Sequence, residues 1–347
     1  MADVATISNG IKENRKINND IKNNPKIINA IETTASIFNG IKDIYDDVND
    51  LWYSWLFSRL HYFIADTLGT EGNPARVLDA GCGTGFQSYL HAAAGSEVIG
   101  VDVAKDLLAI AEAKKKTFDP VKCELFPVYF SFVKKYNLII QKLVTKLRDN
   151  RIYKQPTFQQ GNIAKMDFED RSFDHVNCCG STLSFVPRFR FAIAEFSRVL
   201  KDRGTFFIET DTRWNFDAAW TIIDPFLHGK LGINDDFKGI RPVVLKNPLQ
   251  NVWINFKFRE KEQPVNMPLD LFTESALAAE LRRAGLRVEK RWSINSITNI
   301  IPSTFLDTTK PSKRLVAWYT FLTGLEERLP MYAPGCSIVL FGRKISK

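Results

Sequence analysis

The feature that most constrains the fold is the stretch Val77–Gly85, where glycine stands at positions 81, 83 and 85. An apolar run enters this stretch and a helix-compatible segment leaves it. Glycines permit a tight turn, and they let a ligand approach the backbone without meeting a Cβ atom. The pattern predicts a strand, a glycine-rich loop and a helix N-terminus, which is an arrangement that binds nucleotides.

A second apolar run, Val98–Val103, is typical of a strand and ends near Asp102, which lies 23 positions after Asp79. A carboxylate at that strand end can accept hydrogen bonds from both ribose hydroxyls of a bound nucleoside. The glycines of the loop alternate, whereas the dinucleotide fingerprint has the spacing Gly-x-Gly-x-x-Gly. The loop instead resembles motif I of the class I S-adenosylmethionine (SAM) methyltransferases, roughly apolar-Leu-Asp-x-Gly-x-Gly-x-Gly.

Three later segments resemble further strands of that superfamily, and they follow in the same order. Phe158–Ile163 resembles the third-strand motif, with Asn162 in place of the usual acid. An amide can still accept from the adenine amino group and donate to a ring nitrogen. Ser172–Ser181 resembles the fourth strand, and Lys201–Glu209 resembles the fifth, with Arg203 where a glycine is usual.

The resemblance implies an α/β fold: a Rossmann-like, seven-stranded, mostly parallel sheet with helices on both faces, plus an N-terminal helical lid and a helical insertion. It implies SAM as cofactor and S-adenosylhomocysteine as product. The residues that it assigns to the cofactor are Asp79, Ala80, Gly81, Cys82, Gly83, Gly85, Asp102, Val103, Asn162, Ile163, Cys179 and Gly180. The five cysteines have no metal-ligand spacing, so we expect no metal.

Residues 1–43 form a lead-in of undetermined structure before a methyltransferase domain at residues 44–347. Isoleucines recur every ten residues in the lead-in, close to three helical turns, which would place them on one stripe of a helix. Asparagine is a poor helix former and Pro25 interrupts the stretch, so a helix and a disordered segment both stay open.

The segment Ile44–Ala65 is aromatic and helix-compatible. It resembles the N-terminal helix of quinone-biosynthesis and related small-molecule methyltransferases, which lies over the cofactor and closes the site. That resemblance implies Trp52 and Tyr53 as substrate contacts. The alternative is an ordinary amphipathic helix that packs on the sheet.

An insertion at residues 117–156 separates the second and third strands, and a further substrate-side cap or insertion is expected at 210–275. From Lys114 to Lys154 there are 11 Lys and Arg but only three Asp and Glu, so the excess equals the net charge of +8 of the whole chain. The apolar residues from Tyr129 to Leu147 have helical spacing. Such a helix either lies on an anionic membrane or caps the substrate pocket.

The whole chain has 347 residues, is 45% hydrophobic and has a pI near 9.1. The basic balance favours anionic partners. No apolar run is long enough for a spanning helix and the N-terminus has no apolar signal core, so we expect a cytoplasmic protein. Peripheral contact with an anionic membrane stays open as an alternative. We expect no nucleic-acid partner, because no RNA-binding module is recognisable.

The acceptor is constrained mainly by missing motifs. After the fourth strand stands Cys179–Thr182, not the Asn/Asp-Pro-Pro-Tyr/Phe that clamps a planar amino group in adenine and glutamine methyltransferases. His228 and Asp211 are the candidate general bases, and Arg213 and Trp214 are candidate substrate contacts. We expect a small apolar or amphiphilic acceptor. The alternatives are an RNA or protein methyltransferase and a non-catalytic SAM-binding protein.

Overall fold

The computed structural model describes residues 25–43, 45–46, 48–149, 151–216, 219–220, 223, 252–258, 265–306, 310–328 and 335–346. The candidate base His228 and most of the expected cap at 210–275 lie outside these residues. Within the described part of the chain, no helix is both long enough and apolar enough to cross a bilayer.

The core is a seven-stranded sheet built from short apolar runs. Its strands in chain order are β1 (Arg76–Ala80), β2 (Glu97–Asp102), β3 (Thr157–Gln160), β4 (Phe173–Cys178), β5 (Leu200–Asp211), β8 (Leu286–Ile294) and β9 (Ser337–Lys344). The strands β6 (Val252–Phe258) and β7 (Val265–Leu271) form a separate antiparallel hairpin. The order across the sheet is β3-β2-β1-β4-β5-β9-β8. Strands β1 to β5 pair in parallel, and β9 is antiparallel to both neighbours. The predicted fold class is confirmed.

Helices cover both faces of this sheet, as parallel strands require. Their bounds are α1 (Pro25–Gly40), α2 (Leu51–Glu71), α3 (Phe86–Ala93), α4 (Lys105–Lys114), α5 (Ser131–Arg148), α6 (Arg190–Val199), α7 (Glu274–Arg283), α8 (Ser303–Leu306) and α9 (Lys313–Arg328). One apolar core joins α2, α3, α5 and α9 to the sheet. The other joins α6 and α7 to the opposite face.

The helix expected from Ile44 begins later than the sequence pattern suggested. Asp50 caps α2, because its carboxylate accepts a hydrogen bond from the amide of Tyr53 at 2.7 Å. The preceding described residues form turns, and a separate helix, α1, occupies Pro25–Gly40 within the lead-in. Pro25 therefore stands at the start of a helix, where its missing N–H costs nothing.

The insertion helix α5 exists, but its apolar stripe packs on α2. Val133, Tyr136 and Ile140 are buried in that contact. The stripe is therefore not available to enter a lipid surface, and it does not line the cofactor pocket described below. Membrane docking through this stripe is contradicted, because a matching aromatic surface on α2 offers it a partner inside the fold, whereas a cap over the acceptor stays a prediction.

The C-terminal third of the domain contains elements that the sequence pattern did not reveal. Helices α8 and α9 lie between β8 and β9, the last two strands of the sheet in chain order. The region expected as a cap contributes the β6–β7 hairpin and the N-terminal end of α7. Apart from α9 these pieces are short, and propensity alone does not separate short pieces from loops.

Candidate functional site

The glycine-rich loop leaves β1 and turns back over the end of β2. The amides of Gly81 and Cys82 donate to the carbonyl of Val101 at 2.7 and 3.1 Å. Gly81, Gly83 and Gly85 all have positive φ angles, of 76°, 52° and 88°. A side chain at Gly81 would also overlap Thr182. The turn and the close approach of Thr182 are the physical reasons for glycine at these positions.

Asp102 fixes the other side of the loop. Its carboxylate accepts from the amide of Gly83 at 2.8 Å and from the amide of Ala104 at 2.8 Å. Burial raises the pKa of Asp102, while these backbone donors lower it. The carboxylate belongs to the wall of a pocket that opens beside the loop, together with Val103 and Leu107. Its place is the one that the sequence predicted for a group that binds ribose.

The pocket continues across the carboxyl ends of β3 and β4. Gly161, Asn162 and Ile163 form one part of its wall, and Gly180 and Thr182 form another. Gly180 has a φ of 73°, and a Cβ atom placed there would meet nothing within 4 Å. Open space therefore lies above Gly180, in a pocket that the Asp102 carboxylate and the Asn162 amide also line. This wall fits an adenosyl group, which needs acceptors for its hydroxyls and polar partners for its base.

A roof of aromatic side chains lies over this pocket. Phe38 of α1 packs edge-on against Tyr45 and Phe185, with ring centroids 6.2 and 5.5 Å away. Ile31 and Thr34 of α1 also line the pocket. Tyr45 reaches the loop, where its hydroxyl lies 3.0 Å from the position a Cβ atom would take on Gly83. Burial, and then the nearby Asp102 carboxylate, raise the pKa of Tyr45.

A half-buried lysine ties the roof to the loop. The ammonium of Lys114, at the end of α4, lies 2.8 Å from the Asp46 carboxylate and donates to the carbonyl of Thr84 at 3.0 Å. It also lies 4.2 Å from the centre of the Phe86 ring. Burial lowers the pKa of Lys114, and Asp46 opposes that shift. Residues that precede α2 are thus held against the glycine loop by a charged contact.

Asp79 lies beneath the loop and is not part of the pocket wall. Its carboxylate is buried, accepts from the Ser88 hydroxyl at 2.5 Å and accepts from the Asn177 amide at 2.8 Å. Burial raises the pKa of Asp79 to about 6. These contacts join β1, α3 and β4, so Asp79 holds the loop in place.

Two further carboxylates stand at the end of β5, beside the pocket wall. Glu209 is fully buried and accepts from the amide of Ser181 at 2.7 Å. Asp211 follows two residues later, and burial, together with the charge of Glu209, raises its pKa to about 7. The hydroxyls of Ser181 and Ser184 hydrogen-bond to Asp211 and oppose that shift. A carboxylate that titrates near neutral pH is suited to general base catalysis.

Two family models for a methyltransferase domain match the chain, one over residues 77–130 and one over residues 137–208. Together they span the glycine loop and strands β1 to β4, and they extend into β5. Residues 77–208 of the chain therefore contain a methyltransferase domain, and the matches support the class I SAM-dependent superfamily for it. It is an enzyme of that class, with SAM as cofactor and S-adenosylhomocysteine as product.

Solved structures with a similar fold include SAM-dependent methyltransferases from two organisms. The protein from Methanosarcina mazei has 17% identity and a TM-score of 0.48, over 82% of this chain and 98% of that one. A putative one from Listeria monocytogenes has 15% identity and a TM-score of 0.49, over 84% and 99%.

A third similar structure is a complex of the Haloferax volcanii Trm112 methyltransferase activator and a putative methyltransferase. It has 14% identity and a TM-score of 0.47, over 89% of this chain and 98% of that one. The comparison with curated proteins finds no match.

The pocket of this methyltransferase contains half of the residues that the sequence assigned to the cofactor. Gly81, Asp102, Val103, Asn162, Ile163 and Gly180 line it, whereas Asp79, Ala80, Cys82, Gly83, Gly85 and Cys179 support it from behind or from the side. The roof residues Ile31, Thr34 and Phe38 were missed, whereas Tyr45 belongs to the segment that the sequence analysis expected to close the site. Aromatic residues that flank residue 40 were the available signal, but nothing local indicates that they fold back over a loop 40 residues later.

The expected substrate contacts are scattered. Tyr53 is exposed on α2 and stacks on Phe57 at 6.3 Å, and Trp52 packs against the core under α2. Neither lines the pocket. Arg213 is fully buried just after β5, with its guanidinium 4.9 Å from the centre of the Trp214 ring, which is 40% exposed.

The remaining cysteine and histidine side chains near the sheet are buried. Burial raises the pKa of the Cys178 and Cys179 thiols well above the ordinary value. It lowers the pKa of His61 to about 3 and that of His91 to about 4. Thiols and imidazoles held neutral in this way have structural roles.

Proposed function

We propose that this methyltransferase transfers the methyl group to a small apolar or amphiphilic molecule such as a lipid, quinone, isoprenoid or other specialised metabolite, with Asp211 as the general base. The observation that carries the proposal is the position of Asp211 at the carboxyl end of β5, with a pKa raised to about 7. Ligands of open α/β sheets bind beyond the carboxyl ends of the strands.

The roof supports a small acceptor. Phe38, Tyr45 and Phe185 form a contiguous aromatic cover over the pocket, and Lys114 with Asp46 holds part of that cover on the glycine loop. A base in RNA or a side chain in a folded protein would have to displace this cover to reach the pocket. A small apolar molecule can pass between aromatic groups and gain contact area from them.

The pocket wall supports a specific assignment of cofactor contacts. Asp102 would accept from the ribose hydroxyls, Asn162 would bind the adenine edge, and the open space above Gly180 would take the sulfonium end. Tyr45 and Phe38 would cover the bound group from above. SAM, when bound, supplies an electrophilic methyl group on sulfur.

The chemistry that remains for the protein is positioning and proton removal. The acceptor must be held in line with the methyl–sulfur bond, so that its new bond to carbon forms as the carbon–sulfur bond breaks. When the nucleophile is a hydroxyl or another group with a proton, Asp211 would take that proton. The Asp211 amide donates to the Ser184 hydroxyl at 3.2 Å, and this bond would help to fix the position of the residue.

The test is transfer of radiolabel from SAM with three acceptor pools: an organic extract of lipids and quinones, total RNA and total protein. We expect label to appear in the organic extract, together with formation of S-adenosylhomocysteine. Label in RNA or protein would contradict the small-molecule proposal. Failure to form S-adenosylhomocysteine with any pool would favour a non-catalytic SAM-binding role.

The roles of His228, Arg213 and Trp214 and the cytoplasmic location stay predictions. His228 is an alternative base, and the same assay with His228→Gln and Asp211→Asn separates the two. Arg213 and Trp214 directly follow β5, so Trp214 with its exposed ring is the better placed of the two to touch an apolar acceptor. A cytoplasmic location fits the absence of any membrane-spanning helix among the described residues.

A further inference from the structure

The last helix, α9, presents large aromatic side chains to solvent. Trp318 is 64% exposed and Phe321 is 56% exposed, and their rings meet edge-on with centroids 6.1 Å apart. Phe305 of α8 is 55% exposed as well. Exposed apolar side chains are common singly, but grouped exposed aromatics mark interaction surfaces. We call Arg314, Trp318 and Phe321, which have i, i+4, i+7 spacing, the outer face of α9.

The outer face of α9 begins with basic residues. Lys313 and Arg314 are exposed, and neither forms an ion pair with any residue in the described ranges. The only acids of α9 are Glu326 and Glu327. Glu326 is buried, and Glu327 pairs with Lys135 at 2.6 Å. A helix face with basic residues at one end and bulky aromatics beyond them is suited to an anionic lipid surface.

The inner side of α9 is fixed to the fold, so the outer face is presented rigidly. Tyr319 is fully buried. The Glu326 carboxylate accepts from the indole of Trp55 at 3.0 Å and from the amides of Asn295 and Thr298 at 2.9 and 3.1 Å. These bonds tie α9 to α2 and to the loop after β8. A preformed face loses little conformational entropy when it docks.

The outer face belongs to the segment that leaves the carboxyl end of β8. In the sheet, Asp211 of β5 pairs with Ser337 of β9, and Ser337 pairs with Ile294, the last residue of β8. The chain passes from Ile294 through a short 3-10 helix, Thr298–Ile300, into α8 and α9. The segment with the aromatic face therefore starts at the same edge of the sheet as the proposed base.

We infer that the outer face of α9 docks the protein on an anionic membrane surface. Trp318 and Phe321 enter the interfacial region of the bilayer, where amphipathic aromatic rings are favoured. Lys313 and Arg314 lie at the headgroups and are attracted by anionic lipid. Docking by this face brings the carboxyl edge of the sheet towards the membrane, and it does not depend on which acceptor is methylated.

The test is co-sedimentation of the full-length protein with vesicles of neutral phosphatidylcholine and vesicles that contain phosphatidylglycerol. We expect binding to the anionic vesicles at low salt, and weaker binding as salt screens the charges. Lys313→Gln with Arg314→Gln should weaken binding by about fivefold per charge removed. Trp318→Ser with Phe321→Ser should lower binding at every salt concentration.

Matched variants separate this face from other surface groups. Lys142→Gln with Lys146→Gln removes the same charge from the exposed side of α5, and Tyr129→Ser with Val128→Ser removes exposed apolar groups elsewhere. Both double variants should bind vesicles with the same affinity as the parent protein. The thermal midpoint of every variant should match that of the parent, because all the changed side chains are exposed.

A site-specific probe reports the docked residue directly. All five native cysteines are buried, so Phe321→Cys provides one exposed thiol for a polarity-sensitive fluorophore. Its emission should shift to the blue with anionic vesicles. No binding at low salt, or α9 variants that bind like the parent, would overturn the proposal. So would concentration-dependent dimerisation that Trp318→Ser with Phe321→Ser abolishes, because the face would then be an interface between two copies.

Discussion

The hydroxyl of Thr84 donates to the carboxylate of Asp46 at 2.6 Å, which joins the glycine-rich loop to a residue 38 positions earlier. The same carboxylate pairs with Lys114. Thr84 is buried, so this bond closes over the loop from above. The covering of the cofactor pocket is thus built from the segment before α2, together with α1.

Asp46→Asn should weaken SAM binding about tenfold. The change leaves the partly buried Lys114 without its counter-charge, and a hydrogen bond to a charged group contributes about 1.5–3 kcal/mol. Isothermal titration calorimetry measures the affinity, and Asp43→Asn, an exposed neighbour, is the control. Equal affinities in the two variants would show that the contact does not hold the pocket closed.

Asp102→Ala should raise the dissociation constant for SAM by about 10- to 150-fold, since it removes a charged acceptor from the pocket wall. The matched change is Glu97→Ala at the exposed start of the same strand, which should leave the affinity unchanged. Circular dichroism checks that both variants are folded. A folded Asp102→Ala protein with the parent affinity would remove this residue from the site.

Phe38→Ala should weaken SAM binding by about 3- to 30-fold, because the aromatic roof loses the ring between Tyr45 and Phe185. Ile28→Ala lies on the same helix, and Ile28 is 40% exposed, so the affinity should not change. Fluorescence titration with SAM compares the two. If both variants bind like the parent, α1 is not part of the binding site.

Asp211 should give the pH profile of the reaction. A base with a pKa of about 7 is ionised above that pH, so kcat should fall about tenfold per unit below pH 7 and level off above it. Asp211→Asn should lower kcat by about 10²–10⁴-fold and remove this limb.

Asp211→Asn should stabilise the folded protein, although it lowers kcat. The folded-state pKa lies above the unfolded value, so the carboxyl contributes stability when protonated and loses that contribution as pH rises towards and through 7. Asp211→Asn should therefore unfold at a higher temperature than the parent at pH 8, and by a smaller margin at pH 4.

A pH profile of kcat that is unchanged in Asp211→Asn would assign the proton transfer to another group.

Ile140→Ala should destabilise the protein by about 2–5 kcal/mol, because Ile140 is buried where α5 packs on α2. Leu138→Ala lies two residues earlier, and Leu138 is 50% exposed, so its effect should stay within about 0.5 kcal/mol. Urea unfolding gives both values. Similar losses in the two variants would contradict this packing.

The sequence by itself determined the strand, glycine loop and helix at Val77–Gly85 and the acid Asp102. It also determined the succession of the parallel strands along the chain. These are local patterns: glycines at positions of positive φ, apolar runs of strand length, and acids at strand ends. Each can be recognised from a few neighbouring residues. The methyltransferase superfamily and its cofactor therefore followed from the sequence.

Only the tertiary structure decided what covers the pocket and where the insertion packs. Phe38 and Tyr45 form the roof because they meet Phe185 and the glycine loop, which are distant in sequence. The stripe of α5 is buried because it packs on the aromatic surface of α2, and the Tyr136 hydroxyl also donates to Glu327, 191 positions away. An amphipathic pattern shows that a helix has an apolar face, but the partner of that face depends on which surfaces the whole fold brings together.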